Sequence, residues 1–185
     1  MIAVMSTELI DRLRSYPYRT REEPDGSTVF QRDERVRSLF VVERGLIELH
    51  RYNEVGNLLV LQRAGSGSIL AEASIYSDRY HCDAVAVEPS RLLVFSKSKI
   101  IEAMSDDPRL AQLWGAYLSS AIQNARQRAE ILSRRTVAER LDGWLAMNGL
   151  AMPSKGQWKY VATEIGVTSE ALYRELAKRR RKPID

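Results

Sequence analysis

Two charged side chains near the C-terminus, Glu170 and Arg174, stand four residues apart. On a helix this spacing places them on one face, one turn from each other. An arginine there can donate two hydrogen bonds to guanine, and a glutamate can accept one from cytosine. With Ser169 and Tyr173 beside them, they are predicted to contact base edges. The alternative is an ordinary ion pair on the surface of a helix.

The surrounding C-terminal part of the chain is basic. Residues 108–185 contain 14 Lys or Arg against 7 Asp or Glu, whereas residues 1–107 contain 14 against 17. A basic C-terminal part that follows an acidic N-terminal part is typical of a chain whose partner is a polyanion, most often nucleic acid. Lys159, Lys178 and the arginines that follow Lys178 are therefore predicted to contact phosphates. The alternative is a solvated basic tail.

The element that carries Glu170 and Arg174 is predicted to be a helix–turn–helix. The apolar pattern of its first helix ends at Ile165, and Gly166 then supplies a left-handed turn residue. Thr168 or Ser169 is expected to cap the second helix. Such a motif presents its second helix to the major groove of DNA.

The sequence offers few groups for catalysis. It has two histidines, His50 and His81, and a single cysteine, Cys82. One cysteine excludes an internal disulfide and a four-cysteine metal site, and it favours a reduced, cytoplasmic setting. Metal-ligand spacing, a Gly-rich phosphate loop and a Ser-His-Asp arrangement are all missing, so neither a metal nor an enzyme is predicted. A carboxylate pair assembled by the fold stays open. No apolar run of about 18 residues exists, so no membrane partner is expected.

A long helix is predicted from Pro108 to Leu132. Asp107 can accept the first N–H groups, and proline suits the first turn. Apolar residues follow at spacings of three and four along a helix about 37 Å long. Because that length exceeds a small domain, the apolar stripe is predicted to pair with the same helix of a second copy. The alternative is a long core helix of a monomer. The predicted dimer contacts are Leu113, Trp114, Tyr117, Ala121 and Ala125.

The N-terminal part is predicted to be an antiparallel β-roll. From residue 27 the apolar period changes to two, in segments such as Ser38–Val42 and Leu46–His50. Roughly eight short strands separated by tight turns are typical of a closed roll or jelly roll.

Three stretches together carry a family resemblance. Gly26–Phe30 with Ser38–Leu49 is similar to the opening of a β-roll that binds cyclic nucleotides, Gly67–Val85 occupies the place of its phosphate-binding cassette, and Val161–Leu176 contains a matching base-reading pair. On these residues the chain resembles the cyclic AMP receptor protein/FNR family of bacterial transcription regulators.

The resemblance covers about residues 25–177 and implies an α+β chain with three parts. These are a cyclic-nucleotide-binding-like β-roll over residues 1–107, a dimerisation helix over residues 108–135, and a helix–turn–helix domain over residues 136–185. The family's reading domain usually closes with a β-hairpin wing, and too few residues follow the second helix for a full one. The implied partners are a palindromic double-stranded DNA site, a second copy, RNA polymerase and an effector that the sequence does not identify.

The predicted ligand pocket departs from the family pattern. Cyclic-nucleotide members have a glycine, a glutamate, and an arginine followed by serine or threonine, where this chain has Ala71, Glu72, His81 and Cys82. His81 is mostly neutral at pH 7 and too short to replace an arginine fork. The helix positions that would meet the purine are Ala125 and Arg126, in place of the hydroxyl pair of the cyclic AMP receptor protein. The pocket is therefore expected to bind cyclic AMP weakly or not at all.

Two alternatives stay open at this stage. His81 and Cys82 resemble the haem ligands of one gas-sensing branch of the family, but they are also explained as a partly buried pair that fills an empty pocket. No other cofactor is expected. The whole chain is interpreted as a dimeric DNA-binding regulator. The alternative is a ligand-binding or protein-interaction module of the same fold that does not read DNA.

Overall fold

The computed structural model describes residues 2–56 and 58–181. Contacts divide the chain into two compact units, Met1–Ser120 and Ala121–Asp185, so the boundary falls within the long helix. The three-part division from the sequence treats that helix as a segment of its own, and it stays a prediction. Within the described residues, no helix is both long and apolar enough to cross a membrane.

The N-terminal unit is a β-roll of two four-stranded antiparallel sheets, as predicted. Their strand orders are β1-β8-β3-β6 and β2-β7-β4-β5. The strands are β1 (Tyr18–Glu23), β2 (Thr28–Phe30), β3 (Ser38–Arg44), β4 (Ile47–Tyr52), β5 (Leu58–Ala64), β6 (Ile69–Leu70), β7 (Asp83–Ala86) and β8 (Ser90–Ser96). The apolar pattern did not reveal β1, which is largely polar, or β6, which has only two residues.

Strand β3 explains how the roll supports a second layer. Phe40 and Val42 lie in the core between the two sheets, whereas Leu39 and Val41 lie in a second core against helices. Alternate side chains of a strand point to opposite faces, so a strand covered on both sides needs a continuous apolar run. Strand β8 follows the same rule.

Three helices form the layer that covers this second face. They are α1 (Ile2–Arg14), α2 (Lys97–Asp106) and the first half of α3 (Pro108–Ser133). Leu9 and Leu13 of α1, together with Leu110 and Trp114 of α3, pack into the same core as Phe95 of β8. The long helix therefore begins as part of the N-terminal unit's own core.

Asp107 fixes the start of α3 and attaches α1 to it. Its Oδ1 accepts hydrogen bonds from the backbone N–H groups of Arg109 (3.1 Å) and Leu110 (3.2 Å), as the sequence predicted for an N-cap. Its Oδ2 accepts from Arg12 Nε at 2.6 Å and from the Tyr16 hydroxyl at 2.7 Å. One carboxylate thus joins two helices of the layer.

The C-terminal unit contains the end of α3 and three further helices: α4 (Val137–Met147), α5 (Trp158–Glu164) and α6 (Ser169–Arg181). Thr136 and Glu139 form a reciprocal capping box at the start of α4. Gly166 has a φ of 64°, and Thr168 Oγ1 accepts from the Ala171 N–H, so the turn between α5 and α6 forms as predicted. The absence of a full wing stays a prediction.

Replacing Asp107 by asparagine tests the junction between α1 and α3. Asparagine still caps a helix but removes the charge that pairs with Arg12. The hydrogen bonds from Arg12 and Tyr16 hold the pKa of Asp107 well below its usual range. The ionised carboxylate therefore stabilises the folded state at pH values above the pKa that Asp107 has in the unfolded state. This stabilisation is lost as the pH falls through the lower pKa of the folded state. We expect Asp107→Asn to lower the urea midpoint at pH 7, and the difference from wild type to shrink below about pH 4.

The matched control is Asp106→Asn, which removes the adjacent and exposed carboxylate. It should leave the urea midpoint nearly unchanged at both pH values. A difference between wild type and Asp107→Asn that stays constant down to acid pH would contradict the assignment.

Candidate functional site

Helix α6 presents one continuous exposed face. Glu170, Tyr173, Arg174 and Lys178 are all exposed on it, whereas Leu172 is fully buried in the core of the C-terminal unit. Their spacings of three and four place the exposed residues along one stripe. Ser169, at the first position of α6, is half-buried, and Lys159 is exposed on α5. Four of the six residues predicted to contact DNA thus share one surface of one helix.

Glu170 and Arg174 are not joined by an ion pair within the described residues. The backbone N–H at the start of α6, the Thr168 hydroxyl and the charge of Arg174 lower the pKa of Glu170, so this carboxylate is ionised at neutral pH. The Arg174 guanidinium is exposed and makes no hydrogen bond or ion pair with a described side chain. Both groups are therefore available to an external partner.

Arg140 holds the turn that sets the direction of α6. Its Nη1 donates to the carbonyl oxygens of Ile165 (3.2 Å) and Gly166 (3.0 Å), and its Nε donates to that of Arg134 (2.8 Å). The guanidinium thus satisfies carbonyl groups at the end of α5 and just after α3. Sequence reasoning missed Arg140 because nothing local marks an arginine whose partners lie up to 26 residues away.

The basic run that begins at Lys178 divides into two kinds of residue. Arg179 pairs with Asp142 and Glu175 and donates to the Ala138 carbonyl, and Arg180 lies 5.3 Å from the centre of the Trp158 ring. These two arginines therefore stabilise the unit, whereas Lys178 is exposed. Lys182 lies outside the described residues.

A second candidate site is a cavity of about 140 Å³ inside the β-roll. Four of the five predicted pocket residues line it: Ala71, Glu72, His81 and Cys82. The remaining lining residues are Phe30, Leu49, Leu61, Gln62, Ala73 and Ser74. Arg126 is exposed on α3 within the C-terminal unit.

Ala71 adopts the conformation for which the family uses glycine. Its φ is 68°, which is left-handed and costs a residue with a Cβ about 1–2 kcal/mol. It leads into a short 3₁₀ turn (Glu72–Ser74). Burial raises the pKa of Glu72, while the backbone N–H groups of Glu72 and Ala73 partly offset this. The turn thus forms with a left-handed residue that carries a Cβ.

His81 and Cys82 carry no positive or negative charge at neutral pH. The Nδ1 atom of His81 lies 2.9 Å from Ser74 Oγ, and burial and the nearby charge of Arg51 lower the pKa of the imidazole. Burial raises the pKa of the Cys82 thiol to about 11, so the residue is a protonated part of the core. A neutral thiol is a poor metal ligand. Within residues 2–56 and 58–181, no group of three His, Cys, Asp or Glu is placed to hold a metal ion.

The predicted dimer stripe of α3 changes its environment along the helix. Leu113 and Trp114 are buried in the N-terminal unit's own core, so they are covered without a second copy. Tyr117 packs beside them, hydrogen-bonds to the backbone of Ile69 and interacts with the charge of Glu72. The uncovered apolar residues begin further along: Ala121 is half-buried, Ile122 is 52% exposed, and Ala125 and Ala129 are exposed.

Comparisons with known proteins identify a domain family and two relatives. Residues 20–107 match the cyclic nucleotide-binding domain family. The chain is 25% identical over 171 residues to the global nitrogen regulator of Nostoc sp. (strain PCC 7120), covering 85% of this chain and 76% of that protein. It is also 25% identical over 130 residues to the cyclic AMP receptor protein of Thermus thermophilus, covering 70% of this chain and 60% of that protein.

A solved structure shares the fold over most of the chain. FixK2 from Bradyrhizobium japonicum superposes with a TM-score of 0.74 at 16% identity, covering 89% of this chain and 85% of that one. The fold and these matches define a cyclic nucleotide-binding domain followed by a helical unit. Residues 20–107 thus form a cyclic nucleotide-binding domain, and the chain is similar over most of its length to proteins of the cyclic AMP receptor protein/FNR family, so the resemblance seen in the sequence is confirmed.

Proposed function

We propose that the chain is a homodimeric regulator that binds a palindromic DNA site in the bacterial cytoplasm through α6 and does so without cyclic AMP. The observation that carries this proposal is the exposed stripe of α6, where Glu170, Tyr173, Arg174 and Lys178 stand on a helix fixed by a buried core. One relative is named a global nitrogen regulator, which supports the same class of activity.

The stripe has the chemistry needed for the major groove. Arg174 would donate to O6 and N7 of guanine, and the ionised Glu170 would accept from N4 of cytosine. Lys178 and Lys159 would contact phosphates, which adds affinity without sequence information. The excess of seven positive charges in residues 108–185 supports an interaction that weakens as salt rises.

The uncovered part of α3 supports dimerisation. Ile122 is a large apolar residue with 52% of its surface exposed, and the exposed Ala125 and Ala129, one and two turns further along, allow another helix to approach closely. Two such chains would present two α6 helices to half-sites about one helical turn of DNA apart. The bound dimer would be the form that meets RNA polymerase.

The cavity supports independence from cyclic AMP. At about 140 Å³ it is smaller than the roughly 300 Å³ at which ligand pockets usually begin. The cassette position that should neutralise a cyclic phosphate holds His81, whose imidazole is neutral. A phosphate diester buried beside Glu72 would therefore lack its charge partner at that position.

Replacing Arg174 by alanine should remove a base contact, whereas replacing Lys178 should remove a phosphate contact. After a binding site is selected from a random DNA library, we expect Arg174→Ala to cost about 1–3 kcal/mol at one base pair and to relax the preference there. Lys178→Ala should weaken binding to all site variants alike and reduce the salt slope by about one. Fluorescence anisotropy on single-base variants of the selected site measures both.

These two variants control for each other because both residues are exposed on the same helix. If Arg174→Ala weakens all site variants by the same factor as Lys178→Ala, the base-reading assignment is wrong. If wild type selects no site and its binding to DNA does not depend on salt, the DNA-binding proposal itself is wrong.

Replacing Ile122 by glutamate should separate the two chains of the dimer. A buried carboxylate without a partner is costly, so the dimer dissociation constant should rise about tenfold or more. Sedimentation velocity over a range of protein concentrations measures the change. Gln123→Glu, at the next exposed position, is the control and should leave the dimer intact; equal dissociation of both variants would place the interface elsewhere.

Calorimetric titration of the purified protein with cyclic AMP should show no binding tighter than about 1 µM. The physical reason is the small cavity and the missing arginine at the place of His81. The same preparation should bind its selected DNA site whether or not the nucleotide is added. A submicromolar dissociation constant for cyclic AMP would overturn this part of the proposal.

A further inference from the structure

Tyr173 is the only aromatic residue among the four on the exposed stripe of α6, and 43% of it is exposed. It stands three residues after Glu170 and directly before Arg174. Long side chains of a helix lean toward the N-terminus, so the Tyr173 ring lies over the first turn of α6. The N-terminal residues of a recognition helix are the ones that reach base edges. Tyr173 is therefore at the end of α6 that would meet the bases.

Trp158, at the start of α5, packs against the Tyr173 ring. The centroids of the two rings are 5.8 Å apart, and the ring planes are inclined by 54°. Aromatic pairs at this separation are stabilised by more than the area that they bury. Within the described part of the chain, the Tyr173 hydroxyl makes no hydrogen bond. The restraint on this side chain therefore comes from its contact with Trp158.

Trp158 is itself held by three contacts. Its Nε1 donates a hydrogen bond to the carbonyl oxygen of Pro153 at 3.0 Å, and its ring packs against the core of the C-terminal unit. The guanidinium carbon of Arg180 lies 5.3 Å from the centre of the ring, as in a cation–π pair. Arg180 stands seven residues after Tyr173, about two turns along α6, so both side chains are on the side of α6 that faces Trp158. A fixed indole thus restrains an exposed tyrosine.

A restrained aromatic ring has a chemistry that the other residues of the stripe lack. In the major groove, thymine differs from the other bases by its 5-methyl group, which accepts apolar contacts. Glu170 and Arg174 act through charge and hydrogen bonds, so neither of them recognises a methyl group. A side chain that is ordered before binding also loses less entropy when it binds. The ring of Tyr173 is therefore suited to an apolar contact with a base.

We propose that Tyr173 reads a T·A base pair through the 5-methyl group of thymine, and that Trp158 is the positioning residue that holds the ring for this contact. The inference rests on the proposed function, because it names one base pair of the site that α6 would bind. This pair would be adjacent to the one that Arg174 reads. Each half-site would then combine a guanine read by hydrogen bonds with a thymine read by apolar contact.

The test replaces single thymines of the selected DNA site by deoxyuridine, which lacks only the 5-methyl group. Anisotropy titrations of the full chain with the two DNAs give a ratio of dissociation constants. For wild type we expect a ratio of about four at one thymine of a half-site, the effect of burying one methyl-sized group. Each ratio compares two DNAs on one protein preparation, so it does not depend on the fraction of protein that is folded.

Substitutions of the two aromatic residues should change this ratio in a defined way. Tyr173→Ala should bring it to about one, whereas Tyr173→Phe, which keeps the ring, should retain it. Trp158→Leu should lower the ratio at the same thymine, and Trp158→Phe should retain most of it. A residue that only stabilised the unit would weaken binding to both DNAs alike and leave the ratio unchanged.

The matched control is Trp144→Phe, which alters a buried tryptophan of the same core. It should leave the ratio at the wild-type value even if the unit becomes less stable. Trp158→Leu should also keep the base preference that depends on Arg174, because that residue does not act through the indole.

The inference is overturned if no thymine of the site depends on its methyl group, or if Tyr173→Ala keeps the wild-type ratio. If Trp158→Leu and Trp144→Phe both keep that ratio, the positioning role of Trp158 is wrong. A wild-type protein that selects a site without any effect of the methyl group retains the proposed function and loses this inference. A wild-type protein that selects no site loses both.

Discussion

The structure depends on two strands that are buried on both faces. In β3, Phe40 and Val42 face the interior of the roll, whereas Leu39 and Val41 face the helices, and β8 alternates in the same way. Each strand therefore needs apolar side chains on both faces, because each face packs into a different core. This constraint attaches the helical layer to the roll.

The C-terminal unit meets a different requirement, which is to hold one small helix in a fixed direction. Its core is small, with Leu141, Trp144 and Leu172 among its members, so polar contacts contribute much of the geometry. Arg140 joins the turn before α6 to the segment after α3, and Arg179 joins α6 to α4. Arginine suits both tasks because its planar group donates several hydrogen bonds at once. These contacts leave Glu170 and Arg174 of α6 exposed.

The cavity is bordered by a turn that carries a side chain at a left-handed backbone position. Ala71 keeps a left-handed φ of 68° where glycine would be unstrained, and Glu72 keeps its place at the start of the turn. The imidazole of His81 is neutral at pH 7, because burial and the charge of Arg51, on β4, lower its pKa. The lining therefore combines the buried carboxyl group of Glu72 with a neutral imidazole and a neutral thiol.

The sequence by itself determined the features whose partners are near in the chain. Asp107 before Pro108 and Gly166 each satisfy a helix end within a few residues, so local rules located these ends correctly. Only the tertiary structure decided which apolar residues of α3 are covered. Trp114 packs on the roll whereas Ile122 does not, and the periodicity is the same for both. Likewise, the hydrogen bonds of Arg140 join residues distant in sequence, which only the packing of the helices brings together.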